Sequence, residues 1–217
     1  MNYLFLAIPN YCGSTLVHNI LGTCPSVVKL TPPPIVAEIT FPDFVEGNAC
    51  VPAGGYYNLG GPYSIEANME HVYSDPANYD WPLIRKQWDA NWEATNPKAT
   101  IRIQKTPSDV LRVPLITPHF ENLKWIVCVR NPYAHFASIV KRSGAFMIPH
   151  NQIDQICFHV LRCLEYQINN TILLKDVSHV MTYEDFVTRP QYHVDQFAKK
   201  LFPELSSIDL SSNVMVK

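Results

Sequence analysis

The run Tyr3-Leu4-Phe5-Leu6-Ala7-Ile8 constrains this chain more than any other stretch. A strand with one wet face alternates polar and apolar residues, whereas a near-continuous apolar run reads as a strand covered on both faces, the signature of a parallel sheet between helical layers. The run gives way at once to Pro9-Asn10-Tyr11-Cys12-Gly13-Ser14-Thr15, and then to Leu16–Leu21 with helical periodicity. A strand, a glycine turn with two hydroxyls and a helix start bring backbone N–H groups and the positive end of a helix dipole to one place, which suits an anion. The turn lacks the lysine of GxxxxGK[ST] and is not a Walker A loop.

The arrangement recurs in the middle of the chain. Ile126-Val127-Cys128-Val129 is a second apolar β-run, and it stops at Arg130-Asn131-Pro132 before a segment of helical character that carries Ser138. This puts a guanidinium at the carboxyl end of a strand and a hydroxyl about two helical turns away. Such a pair can hold a phosphate, the arginine through its planar fork of donors and the serine through a single bond. A third β-like run, Ala99–Gln104, leads into Lys105-Thr106-Pro107. Asn151 to about Lys175 reads as one long helix with the apolar stripe Ile153, Ile156, Val160, Leu164, Ile168 and Ile172. Val177–Thr182 reads as a short strand, and Gln191–Leu201 as a further helix ended near Pro203. Strands alternating with helices predict an α/β fold, a three-layer sandwich with a mostly parallel central sheet, whose ligands lie beyond the carboxyl ends of the strands.

Composition narrows the function. The chain has 217 residues, 47% of them hydrophobic, and a formal charge of −2, enough for one domain with a substantial core and without the basic footprint of a nucleic-acid binder. The apolar start is too short to span a bilayer and has no basic flank, so no membrane association and a cytoplasmic location are expected. The cysteines form no CxxC pair and no ligand spacing marks a metal, which favours free thiols in a reducing compartment. Residues 40–95 form a loop-rich insertion containing Tyr56, Tyr57, Trp81, Trp88 and Trp92. Their aromatic faces are expected to form an acceptor-binding cap, the alternative being a satellite core.

Taken in order, PxxxGST after the first strand, Lys105-Thr106-Pro107, RNPxxxxxS from Arg130 to Ser138, and Tyr183-Glu184-Asp185-Phe186 followed by Pro190 resemble the sulfotransferases that use 3′-phosphoadenylyl sulfate (PAPS). The resemblance runs from about Tyr3 to Pro190 and is densest in residues 3–25 and 101–142. It implies a P-loop NTPase-like version of the fold, with PAPS as co-substrate and adenosine 3′,5′-bisphosphate (PAP) as product. By the same resemblance Tyr11, Cys12, Gly13, Ser14 and Thr15 bind the 5′-phosphosulfate, and Arg130 and Ser138 the 3′-phosphate. The family's usual Lys or Arg two residues before the loop glycine is Tyr11 here, and Lys105 is the substitute cation that the resemblance offers near the transfer site.

Sulfuryl transfer builds charge on the bridging oxygen of the leaving phosphate, so donors fixed there favour the transition state. The N–H groups of residues 12–15, the Ser14 and Thr15 hydroxyls and Lys105 fill that role, and no metal is needed. The acceptor hydroxyl requires a base. Glu38 is the candidate that the resemblance to glycan and tyrosine sulfotransferases supplies, with a histidine (His18, His119 or His135) as the alternative. The resulting expectation is a sulfotransferase acting on a hydroxyl of a carbohydrate or other small acceptor. Two other readings stay open: a non-catalytic PAPS- or glycan-binding homologue, and a nucleotide kinase relative.

Overall fold

The computed structural model describes residues 1–30, 75–107, 109–143 and 153–211. Five parallel strands, β1 (Asn2–Ala7), β2 (Val27–Lys29), β3 (Ile101–Lys105), β4 (Leu123–Val129) and β5 (Ser178–Thr182), form one sheet in the order β2-β3-β1-β4-β5. Helices α1 (Ser14–Leu21), α2 (Trp81–Thr95), α3 (Asp109–Ile116), α4 (Pro132–Ser143), α5 (Ile153–Leu173), α6 (Tyr183–Thr188) and α7 (Pro190–Lys200) connect and cover it. This is the expected three-layer α/β architecture, with every pairing in the sheet parallel.

Because successive side chains of a strand point to opposite faces, β1 divides its apolar residues between two cores. Leu4 and Leu6 join Val17, Ile20 and Leu21 of α1, with Phe186, Val194 and Phe197, on one face. Tyr3, Phe5 and Ala7 join Trp81, Ile84, Trp88 and Trp92 of α2, with Val113, Ile116 and Phe120, on the other. The continuous apolar run is thus the consequence of two buried faces. The β2 strand was not anticipated: three residues between Pro25 and Pro32 carry too little pattern to read, and it is ordered by pairing with β3.

Two expectations are corrected. Trp88 and Trp92, only 1% and 0% exposed, are core residues. Asp80 caps α2 by accepting from the Leu83 amide at 3.0 Å, and the 81, 84, 88, 92 spacing turns all four apolar side chains to the sheet. Trp81 is also buried, at 5% exposure. These rings are therefore the satellite-core alternative and are not open to a ligand; Tyr56 and Tyr57, together with Glu38, lie outside the described residues. The second correction concerns α5. Its buried face is Ile156, Val160, Cys163, Gln167 and Asn170, while Ile153, Ile168 and Ile172 are exposed. Steps of four residues overshoot a helical turn by about 40° each, so a stripe continued from Ile156 by steps of four alone drifts off the contact face after Val160, and alternating steps of four and three hold it. The true stripe contains polar residues, which an apolar template passes over.

A candidate phosphate-binding crevice

The chain leaves β1 toward β2 and leaves β4 toward β5, on opposite sides, so a crevice opens between the two at the carboxyl edge of the sheet. Both predicted anion turns flank it.

The first turn is held in an unusual backbone shape. Tyr11 has φ 58° and Gly13 φ 90°. Only glycine adopts the left-handed region without cost, and Gly13 needs its missing side chain for a second reason: a Cβ there would lie 2.4 Å from Cδ2 of Tyr183. Gly13 is the N-cap of α1 and supplies no capping side chain, and the first turn of α1 carries no acidic residue. The amino-terminal N–H groups of α1 are thus left for an acceptor from outside the helix. Ser14 is buried and Thr15 exposed at this end. The Cys12 side chain is buried, and burial pushes its thiol up to about 12, so it stays protonated.

The second turn is tied to the first. Arg130 Nη1 donates to the Tyr11 carbonyl, and its guanidinium carbon lies 4.5 Å from the centre of the Tyr183 ring, a cation–π distance. The backbone N–H of Asn131 donates to Glu184 Oε1 at 3.2 Å. Asn131 Oδ1 accepts from the amides of Tyr133 and Ala134 at 3.0 and 3.3 Å and so caps α4. Ser138 is half-buried on α4, two turns along. The Tyr11 ring packs against Ile139, Ile156 and Val160 of α4 and α5, anchoring the first turn to the helices that follow the second. Tyr183 and Glu184, at the start of α6, therefore bridge both turns. YEDF was legible as a mark of the family, but its part in joining the turns was not, because it depends on β5 lying beside β4.

Lys105 ends β3 and stands opposite Leu6 of β1, one residue short of where β1 ends. The turn after it is braced: Gln104 Nε2 donates to Thr106 Oγ1 at 2.8 Å, and the Asp109 amide donates to the Thr106 carbonyl at 2.9 Å. Asp109 is fully buried and paired with Arg112 at 2.6 Å; burial raises its carboxyl to about 6, with Arg112 opposing the rise. His18 of α1 is lowered to about 3 by burial and, secondarily, by the charges of Lys29 and Lys105. Lys29, at the carboxyl end of β2, is a cation that motif reading did not single out.

A small cavity under the second turn is lined by Pro9, Cys12, Arg130, His135, Cys163 and Gln167, among others. His135 Nε2 and Arg130 Nε are buried without a bonding partner. Burial lowers His135 to about 4, so this ring is neutral. Among the described residues no cluster of three His, Cys, Asp or Glu side chains could hold a metal, and no helix is long and apolar enough to cross a membrane.

The fold matches those of solved sulfotransferases. The sulfotransferase domain from the curacin biosynthetic pathway superposes with TM-score 0.52 at 20% identity, covering 94% of this chain and 76% of that one. The sulfotransferase domain of the Synechococcus PCC 7002 olefin synthase gives 0.52 at 20% identity, covering 99% and 75%. A sulfotransferase from Alicyclobacillus acidocaldarius gives 0.53 at 13% identity, covering 99% and 88%. No curated protein sequence matches the chain significantly. The profile of the Sulfotransferase family, however, matches residues 11–201, from the first anion turn through α7, and the chain belongs to that family.

Proposed function

We propose that the protein transfers a sulfuryl group from PAPS to a hydroxyl of a small acceptor, a carbohydrate or another hydroxylated carbon skeleton. The observation that carries this reading is the coupling of two anion turns across one crevice, with Arg130 and Tyr183 linking them. A nucleotide with phosphates at both its 5′ and 3′ positions needs two such turns at once. The unpartnered N–H groups of α1 and the orphaned Arg130 Nε are donors of the kind an anion requires.

In the proposed reaction the acceptor oxygen attacks sulfur, and its bond to sulfur forms as the bond to the bridging phosphate oxygen breaks. The electron pair of the broken bond stays on that oxygen and leaves with PAP, while the acceptor's proton passes to a base. The N–H groups of residues 12–15 and the hydroxyls of Ser14 and Thr15 receive the growing charge, and Lys105 supplies the cation that Tyr11 does not. Arg130 and Ser138 hold the 3′-phosphate. Glu38 is the proposed base.

Melting-temperature shifts test the reading directly, since a ligand that binds only the folded state raises the midpoint. PAP should raise it well beyond ATP or 5′-AMP at equal concentration. An equal shift with 5′-AMP and PAP would overturn the assignment of the 3′-phosphate turn. The packing of Tyr11 onto α4 and α5, in place of a cation at the leaving phosphate, favours one second reading, a PAP-binding protein without turnover. Sulfuryl transfer to a panel of hydroxyl acceptors decides between the two.

A further inference from the structure

The parallel ladder between β1 and β4 ends at the pair Ala7 and Val127. Beyond it the two chains separate, one into the Gly13 turn and the other into the Arg130 turn. The space where the next rung would lie is occupied by the side chain of Gln167 from α5. Its Nε2 donates to the Ala7 carbonyl at 2.8 Å and to the Cys128 carbonyl at 2.7 Å. The residue is 1% exposed. An amide nitrogen has two hydrogens, and each meets one strand end; the amide oxygen could not face two carbonyls, so its orientation is decided by chemistry. Asn170, one turn along, holds the other side of the amide: its Nδ2 lies 3.5 Å from Gln167 Oε1 and donates to the Val110 carbonyl at 2.9 Å.

Resting on the sulfotransferase reading, we propose that Gln167 is a positioning residue that sets the separation of the two phosphate-binding turns, and thereby the protein's preference for a nucleotide phosphorylated at both the 5′ and 3′ positions. It does not touch the nucleotide. A buried amide costs stability unless it is bonded, and the bonds this one makes are to the last residue of β1 and the next-to-last of β4, beside the points where the two turns leave the sheet. Ile156 and Val160 pack the same face of α5 without any polar group. An aliphatic side chain at 167 would fill the volume but leave the strand ends free to spread. One phosphate binds either turn regardless of spacing, whereas two phosphates on one ribose bind both turns only if the spacing is right.

The experiment compares three ligands, PAP, 5′-AMP and adenosine 3′-monophosphate, by calorimetric titration of wild type, Gln167→Met and Gln167→Glu. Wild type is expected to favour PAP over both monophosphates. Gln167→Met keeps the length of the side chain and removes both donors, and it should lose about tenfold or more of PAP affinity while the monophosphate affinities hold. Gln167→Glu is nearly isosteric, and its neutral carboxyl keeps one donor, so its PAP preference should fall between the two. A PAP preference unchanged from wild type in Gln167→Met would overturn the inference, as would an equal loss for all three ligands, which is the mark of a purely structural role. If Gln167→Met fails to fold, Gln167→Glu decides: a full wild-type preference overturns the inference and a reduced one supports it. A wild type that fails to favour PAP would instead overturn the sulfotransferase reading itself, and this inference with it.

Discussion

Arg130 and Gly13 show how single residues determine the crevice. Arg130 reaches the Tyr11 carbonyl and the Tyr183 ring from the end of β4, and its Nε is buried without a partner. Arg130→Ala should weaken PAP about tenfold to a hundredfold, the worth of a charge-assisted bond, and leave 5′-AMP nearly unaffected in the same titration. Gly13→Ala acts through the backbone. It forces a side chain into a left-handed conformation, at a cost of about 1–2 kcal/mol, and drives its Cβ against the Tyr183 ring. Denaturant unfolding should show that loss or more, and PAP binding should weaken as well, because the displaced ring also faces Arg130. Lys105→Ala is expected to lower kcat far more than it weakens PAP, the pattern of an interaction made in the transition state. Unchanged turnover would show that the leaving phosphate does not use this cation.

At the scale of elements, α2 and α5 show how the pattern of a helix decides its use. Trp88 of α2 lies against Phe5 and Phe120, each ring centre 6.0 Å away, and Trp92 lies against Phe5. Trp88→Ala should therefore cost about 3–5 kcal/mol of stability, as truncation of a large buried ring does. The PAP affinity of the remaining folded protein should stay within a few-fold of wild type, which titration below the melting transition can verify. An acceptor defect without loss of stability would restore these rings to a binding role. The α5 helix carries Gln167 and Asn170 in its buried face, so its contacts with β1 and β4, through Gln167, and with α3, through Asn170, are hydrogen-bonded as well as apolar.

At the scale of the whole molecule, histidines held neutral by their surroundings lead the response to acid among the described residues. His18, His135, His159 and His179 are all lowered from 6.5, to about 3, 4, 3 and 4, with burial the leading cause in each. Between pH 6.5 and 4 the unfolded chain takes up protons at these sites and the folded protein does not, so stability is full above 6.5 and falls as pH falls, by about 1.4 kcal/mol per pH unit for each site that stays neutral. Asp109 works the other way. Its folded pKa of about 6 lies above the ordinary 3.8, so the folded state binds the extra proton between those values, and this group adds stability as pH falls through 6. Among the described residues, four sites outweigh one. Denaturant midpoints measured at pH 7.5, 6.0 and 5.0 should decline steadily, and a flat or rising series would contradict the neutral burial of these rings.

What the sequence by itself determined was whatever depends on neighbours in the chain. The apolar run Tyr3–Ile8 specified a strand buried on both faces; the Gly13 turn and Arg130-Asn131-Pro132 announced donors at strand ends; and the order of these segments carried the family. Periodicity could not decide which side of α5 faces the sheet, since its contact face includes Gln167 and Asn170, nor that Trp88 and Trp92 are core, since a buried ring and a ligand-facing ring look alike in one dimension. The Tyr183 ring over Gly13, the Glu184 carboxylate at the Asn131 amide and the Gln167 amide between Ala7 and Cys128 were decided by tertiary structure alone. Each of these contacts joins residues far apart in the chain, and only the placing of β1 beside β4, and of β4 beside β5, brings them within bonding distance.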